Sequence, residues 1–424
     1  MDHCLRVVAP GPVPPRGGAR QTYSRPVIDR ELDVVLVGAT GFVGRLTAGH
    51  LARHAPGHAR IGLAARSADK LARVREELGV DWPALVLDTS DESAVADLAA
   101  RTKVVATAVG PFLRHGLPLV AACARAGTHY ADLTGESEFV RRSVATNHAV
   151  AGGSGARIVH SCGFDSIPSD LGLGLAHAAA GGNEISEAVY QVRSGRGGVS
   201  GGTVDSLRQQ VIEAESDPDV RRVIRDAYAL TDGVGARSGR SVSGLRRDPR
   251  SGQWQAPFVM GAYNAQIVQR TNFLTGWSYG RRMQYREVVD TGRGIGGRAA
   301  AAGLAVGQAA FIGAMGVRPL RSLLDRVLPD PGQGPSEKTR AAGEFSIDID
   351  VTPVEAAPVR TTFAADHDPG YNGTAVMLGE SALGLALDDL PERAGVLTPM
   401  TALGPVLARR LRAQGFTITV ESLR

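Results

Sequence analysis

The sequence predicts an α/β protein built around a doubly wound parallel sheet. Three observations carry that prediction. The stretch DVVLVGATGFVGRLTAGHLARH, Asp33 to His54, passes from an apolar strand through three glycines into a helix. Strands and helical segments then alternate, the pattern of βαβ units. Further along, several apolar runs with period-two alternation read as strands of another sheet.

The elements follow in order. The opening MDHCLRVVAPGPVPPRGGARQTYSRP lacks the apolar core of a signal peptide and is rich in Pro, Gly and Arg, so residues 1–30 read as a disordered extension. Leu32–Val37 is a buried strand. Gly38, Gly41 and Gly44 sit where it turns into the helix: Gly38 permits the tight turn, Gly41 lets backbone approach a pyrophosphate, and Gly44 lets helix and strand pack closely. With Thr40, Phe42 and Val43 they form a candidate phosphate cradle at a helix N-terminus. A second strand, RIGLAAR, starts at Arg60. A third, PALVLDTS, carries Asp88, and a fourth, KVVATAVGPF, ends at Val109, Gly110 and Pro111.

The end of the second strand selects the dinucleotide. An Asp or Glu there would accept from a ribose 2′-OH; this chain has Ala65, Arg66 and Ser67, with Lys70 one turn on. Those residues attract a 2′-phosphate and favour NADPH over NADH. Asp88 is expected beside the adenine, with Val109, Gly110 and Pro111 near the nicotinamide.

Composition narrows the class. Of 424 residues, 43% are hydrophobic and 21% charged, the balance of a globular protein. The net charge of +4 comes from dispersed arginines with lysine only at Lys70, Lys103 and Lys338, so no nucleic-acid partner is implied. Cys4, Cys123 and Cys162 form neither a disulfide framework nor a zinc pattern, which favours the reducing cytoplasm. No tyrosine has a lysine four residues later, which excludes short-chain dehydrogenase chemistry. His50, His54 and His58 recur every four residues, but Pro56 interrupts the helix; they read as a polar helix end and no metal is expected. GGSGAR at Gly152 reads as a loop.

Downstream, HYADLTGE and CGFDSIPSD, together with the glycine motif and the Gly-Pro-Phe turn, resemble the saccharopine dehydrogenase-like oxidoreductases. SGGT (Ser200–Thr203), GPSEKTRAAGEF (Gly334–Phe345) and GVLTPMTALGPVLARRL are most similar to the mycobacterial-type trans-acting enoyl reductases. The resemblance implies a Rossmann-type doubly wound parallel sheet plus an α+β substrate domain built on a mixed sheet. It divides the chain into an NADP-binding domain (31–170), a substrate and dimerisation domain (171–370) and a C-terminal part (371–424) whose helices and strand return to the first domain. AVYQVRSGRGGVSGGT, PFVMGAYNAQIVQRTNFL, GEFSIDIDVTPVE and VRTTFAADHDPG read as strands of the mixed sheet, and Tyr371 begins a helix reaching about Leu387.

The activity implied is NADPH-dependent reduction of the α,β-double bond of an acyl or polyketide thioester, held on the acyl carrier protein of a polyketide synthase, during complex lipid biosynthesis. Hydride would reach the β-carbon and a proton the α-carbon. Candidate catalytic groups are Cys162, Asp165, Ser166, Thr203 and Tyr371. Their structural alternatives are a small buried residue, a loop acceptor, a helix cap, a helix start and a half-buried aromatic. The loop SGRGGVSGGTVDS, running into a helix near Thr203, is read first as closing over the cofactor, with a phosphopantetheine-phosphate site and a flexible hairpin as alternatives, and RSGRSVSGLRRDPR (Arg237–Arg250) as a solvated loop rather than a carrier-docking patch. The uncharged run 299–317 reads first as a buried or dimer-forming helix, second as a lipid contact extending through 299–328, and last as a membrane span. Two other readings stay open. One is an amino-acid oxidoreductase using Arg193, Arg270, Arg281 and Arg286 on substrate carboxylates; the other is a lipid-associated protein that binds NADPH without turnover.

Overall fold

The computed structural model describes residues 30–196, 201–231, 244–324, 334 and 336–423, with backbone alone for 196 and 201–205. Positions 1–29 of the N-terminal extension, 197–200 of the glycine loop, the Thr203 side chain, positions 237–243 of the arginine-rich stretch and 325–328 of the lipid-contact stretch lie outside what is described, whereas Arg30, read as part of the extension, is buried and donates to the Ala99 and Ala126 carbonyls.

The first half alternates regularly. Strands β1 (Leu32–Val37), β2 (Ile61–Ala65), β3 (Ala84–Val86), β4 (Thr102–Thr107), β5 (His129–Asp132) and β6 (Arg157–Val159) are separated by α1 (Phe42–His54), α2 (Ala68–Leu78), α3 (Glu92–Arg101), α4 (Phe112–His115), α5 (Leu117–Ala126) and α6 (Ser137–Ser154). All six residues of β1 are buried, as a strand covered on both faces must be.

The second half begins with α7 (Ile167–Ala179), β7 (Ile185–Arg196), α8 (Gly201–Ser216), α9 (Pro218–Arg225), β8 (Arg246–Arg247), β9 (Trp254–Pro257) and α10 (Gly261–Leu274). It continues through β10 (Gln284–Gly292), α11 (Gly294–Gly316), α12 (Arg318–Leu324), α13 (Glu337–Ala341), β11 (Glu344–Pro353) and β12 (Val359–Ala365). The chain ends with α14 (Thr374–Leu387), β13 (Gly395–Leu397), α15 (Pro399–Ala402), α16 (Pro405–Ala413) and β14 (Thr417–Ser422).

Two seven-stranded sheets result, ordered β3-β2-β1-β4-β5-β6-β13 and β14-β12-β11-β7-β10-β9-β8. Every recorded pairing in the first is parallel. The second is mixed: β10 and β7 run parallel and the other pairs antiparallel. This is the doubly wound sheet plus mixed-sheet α+β architecture. The late strand β13 extends the first sheet beside β6, whereas β14 joins the edge of the second beside β12. The C-terminal part therefore divides between the sheets instead of returning whole to the first.

One core spans both sheets, from Val34 and Leu36 to Ile347 and Ile349, with α7 between. Close approach requires glycine there: a Cβ on Gly172 would lie 2.7 Å from Ile349 Cδ1, and one on Gly174 2.4 Å from Met400 Sδ. Helix α14 covers the first sheet, packing on α1, β4 and β5.

The structure corrects several readings. Residues 261–274 form helix α10, not a strand; it is buried at Tyr263, Asn264 and throughout Gln266–Asn272, so no polar face reveals its period. Gly152 and Gly153 belong to the last turn of α6, which ends at Gly155 in the left-handed conformation (φ +85°). Tyr371 lies in a single π-type turn, Pro369–Gly373, that leads into α14. His50 is no polar helix end: it is buried, and its Nε2 lies 2.8 Å from Glu380 Oε1.

Helix α11 is not buried either. Along its 23 residues Gly297, Ala301 and Met315 are fully buried, and the rest are partly or wholly exposed.

Candidate active site

The site is built on the carboxyl edge of the first sheet, where strand order reverses between β1 and β4, the position at which doubly wound sheets bind ligands. Gly38 adopts φ +85°, and a Cβ there would meet Val109 Cγ2 at 2.7 Å, so the turn after β1 packs directly on the turn after β4. A Cβ on Gly44 would stand 2.0 Å from the Gly38 carbonyl oxygen; only glycine allows the first turn of α1 to lie on this loop. Gly41 differs. It is the N-cap of α1, and a Cβ there would meet only the Gly38 oxygen, at 3.3 Å.

The space beyond Gly41 is a cradle that a larger side chain would fill, and the first amides of α1 have no partner within the helix. Thr40, Phe42 and Val43 line the same turn. A dinucleotide pyrophosphate fits this arrangement. At the end of β2, Ala65 is buried, while Arg66 and Lys70 are exposed. Ser67 caps α2 by accepting from Lys70 N–H at 3.3 Å. Asp88 is held by Ser90, whose N–H and Oγ donate at 2.9 and 2.7 Å; these bonds and the nearby Arg66 charge hold its carboxyl below the usual range. The Arg66 and Lys70 cations suit a 2′-phosphate.

The turn after β4 is tied down by Glu136. Its carboxylate accepts from the N–H groups of Phe112 (2.9 Å) and Leu113 (2.7 Å) at the start of α4, beyond Gly110 and Pro111. It also accepts from Ser206 Oγ of α8 at 2.9 Å, which brings that helix to the crevice. Burial raises the Glu136 pKa in spite of these bonds.

At the end of β6 a buried polar network holds the stretch Ser161–Ser166. Ser161, at φ +64°, donates its N–H to Asp132 Oδ1 at 3.0 Å and shares a 2.5 Å hydrogen bond with the Tyr263 hydroxyl. Asn264 clamps the next residues: its Nδ2 donates to the Asp165 carbonyl at 2.5 Å, and its Oδ1 accepts from Ser166 Oγ at 2.8 Å. Behind Asn264 stands Glu287, accepting from Asn264 Nδ2 (3.0 Å), Ser169 Oγ (2.7 Å) and the Tyr285 hydroxyl (2.5 Å). Burial outweighs those bonds and pushes its carboxyl up to about 7.

Asp165 itself is different from its neighbours. Among the described residues its carboxylate has no hydrogen-bond partner, the residue is half-buried, and loss of hydration pushes its pKa up to about 6. It is a carboxyl available to hold and release a proton.

Comparison with known proteins agrees with this geometry. Residues 34–159 match the saccharopine dehydrogenase NADP-binding domain. The chain is 46% identical over 413 residues to a Mycobacterium tuberculosis protein provisionally named a trans-acting enoyl reductase, covering 93% of this chain and 98% of that one. It is 44% identical over 415 residues to the trans-acting enoyl reductase of Mycobacterium bovis, at 93% and 99% coverage. The chain belongs to the trans-acting enoyl reductase family. Its fold is that of saccharopine dehydrogenase (L-Glu forming) from Saccharomyces cerevisiae, with TM-score 0.52 at 12% identity over 92% of this chain and 99% of that one. NADP(H) is accordingly its dinucleotide.

The candidates for chemistry in this family member separate clearly. Cys162 is buried, its Sγ donates to the Val159 carbonyl at 3.5 Å, and burial pushes its thiol well above the usual range. Ser166 occupies the cap position of α7 but its hydroxyl does not cap; it serves Asn264. Tyr371 is fully buried, not half-buried, and meets Phe42 edge-on at 5.0 Å. Of the four with described side chains, Asp165 alone combines partial exposure with an uncommitted functional group.

Sequence reasoning missed Glu136, Tyr263, Asn264 and Glu287. A strand through 257–274 would send Tyr263 and Asn264 to opposite faces; on α10 both reach the loop after β6. The one signal for Glu287 was a carboxylate set among the apolar positions of β10.

The four arginines proposed as a carboxylate clamp are all engaged by groups of the protein itself. Arg193 pairs with Asp290 and with Asp348 (2.9 Å), and Arg286 with Glu187 (3.2 Å) and Gln255 (3.1 Å). Arg281 lies over the Trp277 ring. Arg270 is buried against the carbonyls of Leu230 and Val396. Within the described part of the arginine-rich stretch, Arg246 and Arg250 approach Glu187 (3.8 Å) and Asp350 (3.7 Å). A cavity of about 590 Å³ lies away from the crevice, between α1 and α14, lined by His50, His54, Arg340 and His367.

Proposed function

We propose that the protein is an NADPH-dependent trans-acting enoyl reductase of the cytoplasm, reducing the α,β-double bond of an acyl thioester presented by the carrier domain of a polyketide synthase. The observation that carries this reading is the 44% identity to a named enoyl reductase across 93% of the chain, since a likeness of that extent includes both sheets and the crevice between them. The engaged arginines argue against an amino-acid substrate.

Gly38, Gly41, Gly44 and the first amides of α1 would hold the pyrophosphate, Arg66 and Lys70 the 2′-phosphate, and Val109, Gly110 and Pro111 the nicotinamide end. NADPH, when bound, supplies the hydride added at the β-carbon. Asp165 delivers the proton to the α-carbon. Its carboxyl is raised to about 6 by burial, so the protonated acid is the majority form below that pH and is lost as pH rises through it. Asn264 and Glu287 position it by fixing the Asp165 backbone and the Ser166 hydroxyl.

The test is NADPH oxidation by the purified protein, with an α,β-unsaturated acyl thioester in one assay and glutamate plus an aldehyde in another. Turnover of the thioester alone is expected. Turnover of the amine pair alone would replace this reading with C–N chemistry.

A further inference from the structure

Helix α11 is long and apolar enough to cross a bilayer, yet little of it is buried by the rest of the protein. Its covered face, Gly297, Ala301 and Met315, rests on β9, β10 and α8. The opposite face presents Ile295 (89% exposed) and Val306 (67%) to solvent along a stripe of Ala299, Gly303 and Ala310. At the C-terminal end the apolar surface broadens through Val317 (48%), between the helices, and Leu320 (47%) and Leu323 (58%) of α12.

The two helices themselves carry only positive charge. From Gly294 to Leu324 the chain contains Arg298, Arg318 and Arg321 and no Asp or Glu. The acid recorded against the helix, Glu215, approaches Gly316 from α8, on which α11 packs. Bulky apolar side chains interspersed with arginines complement anionic headgroups over an acyl boundary. A second copy suits the stripe less well. Arg298, Arg318 and Arg321 would face their own copies across such a pair, with no acid on either helix to answer them.

We infer that α11 and α12 dock the protein on the surface of an anionic bilayer, lying in the headgroup layer with Ile295, Val306, Leu320 and Leu323 inserted. Helix α8 links that surface to the crevice: Ser206, near its start, bonds Glu136 beside the turn after β4, and Glu215, near its end, abuts Gly316. Docking and catalysis are separable, because none of the docking residues belongs to the crevice.

The test is co-sedimentation of the full chain with phosphatidylcholine vesicles, with and without phosphatidylglycerol. Wild type is expected to pellet with the anionic vesicles. The triple variant Val306→Asp/Leu320→Asp/Leu323→Asp should lose binding about tenfold or more, as should Arg318→Gln/Arg321→Gln, and high salt should weaken wild type. NADPH binding by every variant, followed by fluorescence, verifies folding. Equal vesicle binding by wild type and the aspartate variant overturns the inference. So does a vesicle-free dimer in analytical ultracentrifugation that the aspartate variant splits while vesicles take up neither protein, which would make this face an interface between copies.

Discussion

The two ends of the crevice are organised in opposite ways. At the dinucleotide end the groups are glycines, backbone amides and exposed cations, drawn from two short stretches, 38–44 and 65–70. At the β6 end, side chains from α7, α10 and β10 bond one another in the interior and leave Asp165 as the uncommitted group. Binding a polyanion calls for donors and space, which contiguous backbone supplies. Presenting one carboxyl at a set pKa calls for a rigid, dehydrated surround, which only distant segments can supply together.

That contrast can be broken, beginning with the largest effect. Asp165→Asn should lower kcat by about 100-fold or more and leave NADPH affinity within about twofold, because it removes the proton and keeps the shape. Its pH profile should lose the fall near pH 6 that wild type shows. A variant with wild-type kcat would move the proton donor elsewhere.

Gly44→Ala acts at the other end and through folding. A Cβ placed 2.0 Å from the Gly38 oxygen forces the backbone apart, at a cost of about 3 kcal/mol, read as a lowered denaturation midpoint. Retained stability would show that the turn can shift. Arg66→Ala should weaken NADPH binding by about 1–3 kcal/mol with NADH little changed, measured by titration calorimetry. Equal losses would remove Arg66 from the 2′-phosphate.

Glu287→Gln sharpens the comparison most finely. The Glu287 pKa is about 7 in the folded protein against 4.5 as a free side chain, so the unfolded chain releases this proton first as pH rises. Its contribution to stability therefore falls between about pH 4.5 and 7 and is level on either side. Denaturant melts across that window should show a shallower decline in Glu287→Gln than in wild type. Identical slopes would mean that Glu287 is ionised in the folded state.

The first sheet was legible because strand, turn and helix are local: the apolar run of β1, the glycine turn that follows it and the start of α1 carry their meaning within a few positions. Helix α10 was not, because a helix buried on nearly all sides has no polar face to mark its period, and misreading it hid Tyr263 and Asn264. Composition was less telling for α11, an uncharged run read first as a buried or dimer-forming helix, whose exposed face rules out the buried alternative within the chain.

By itself, then, the sequence determined the parallel sheet, the glycine turn between β1 and α1 and the NADP(H) dinucleotide, since each depends on neighbours in the chain. Tertiary structure alone decided which face of α11 meets solvent, that β14 joins the second sheet, and that Glu287, 122 positions beyond Asp165, stands behind it through Asn264. Burial, and with it the raised pKa of each carboxyl, is a property of what packs around a residue, and no local pattern encodes it.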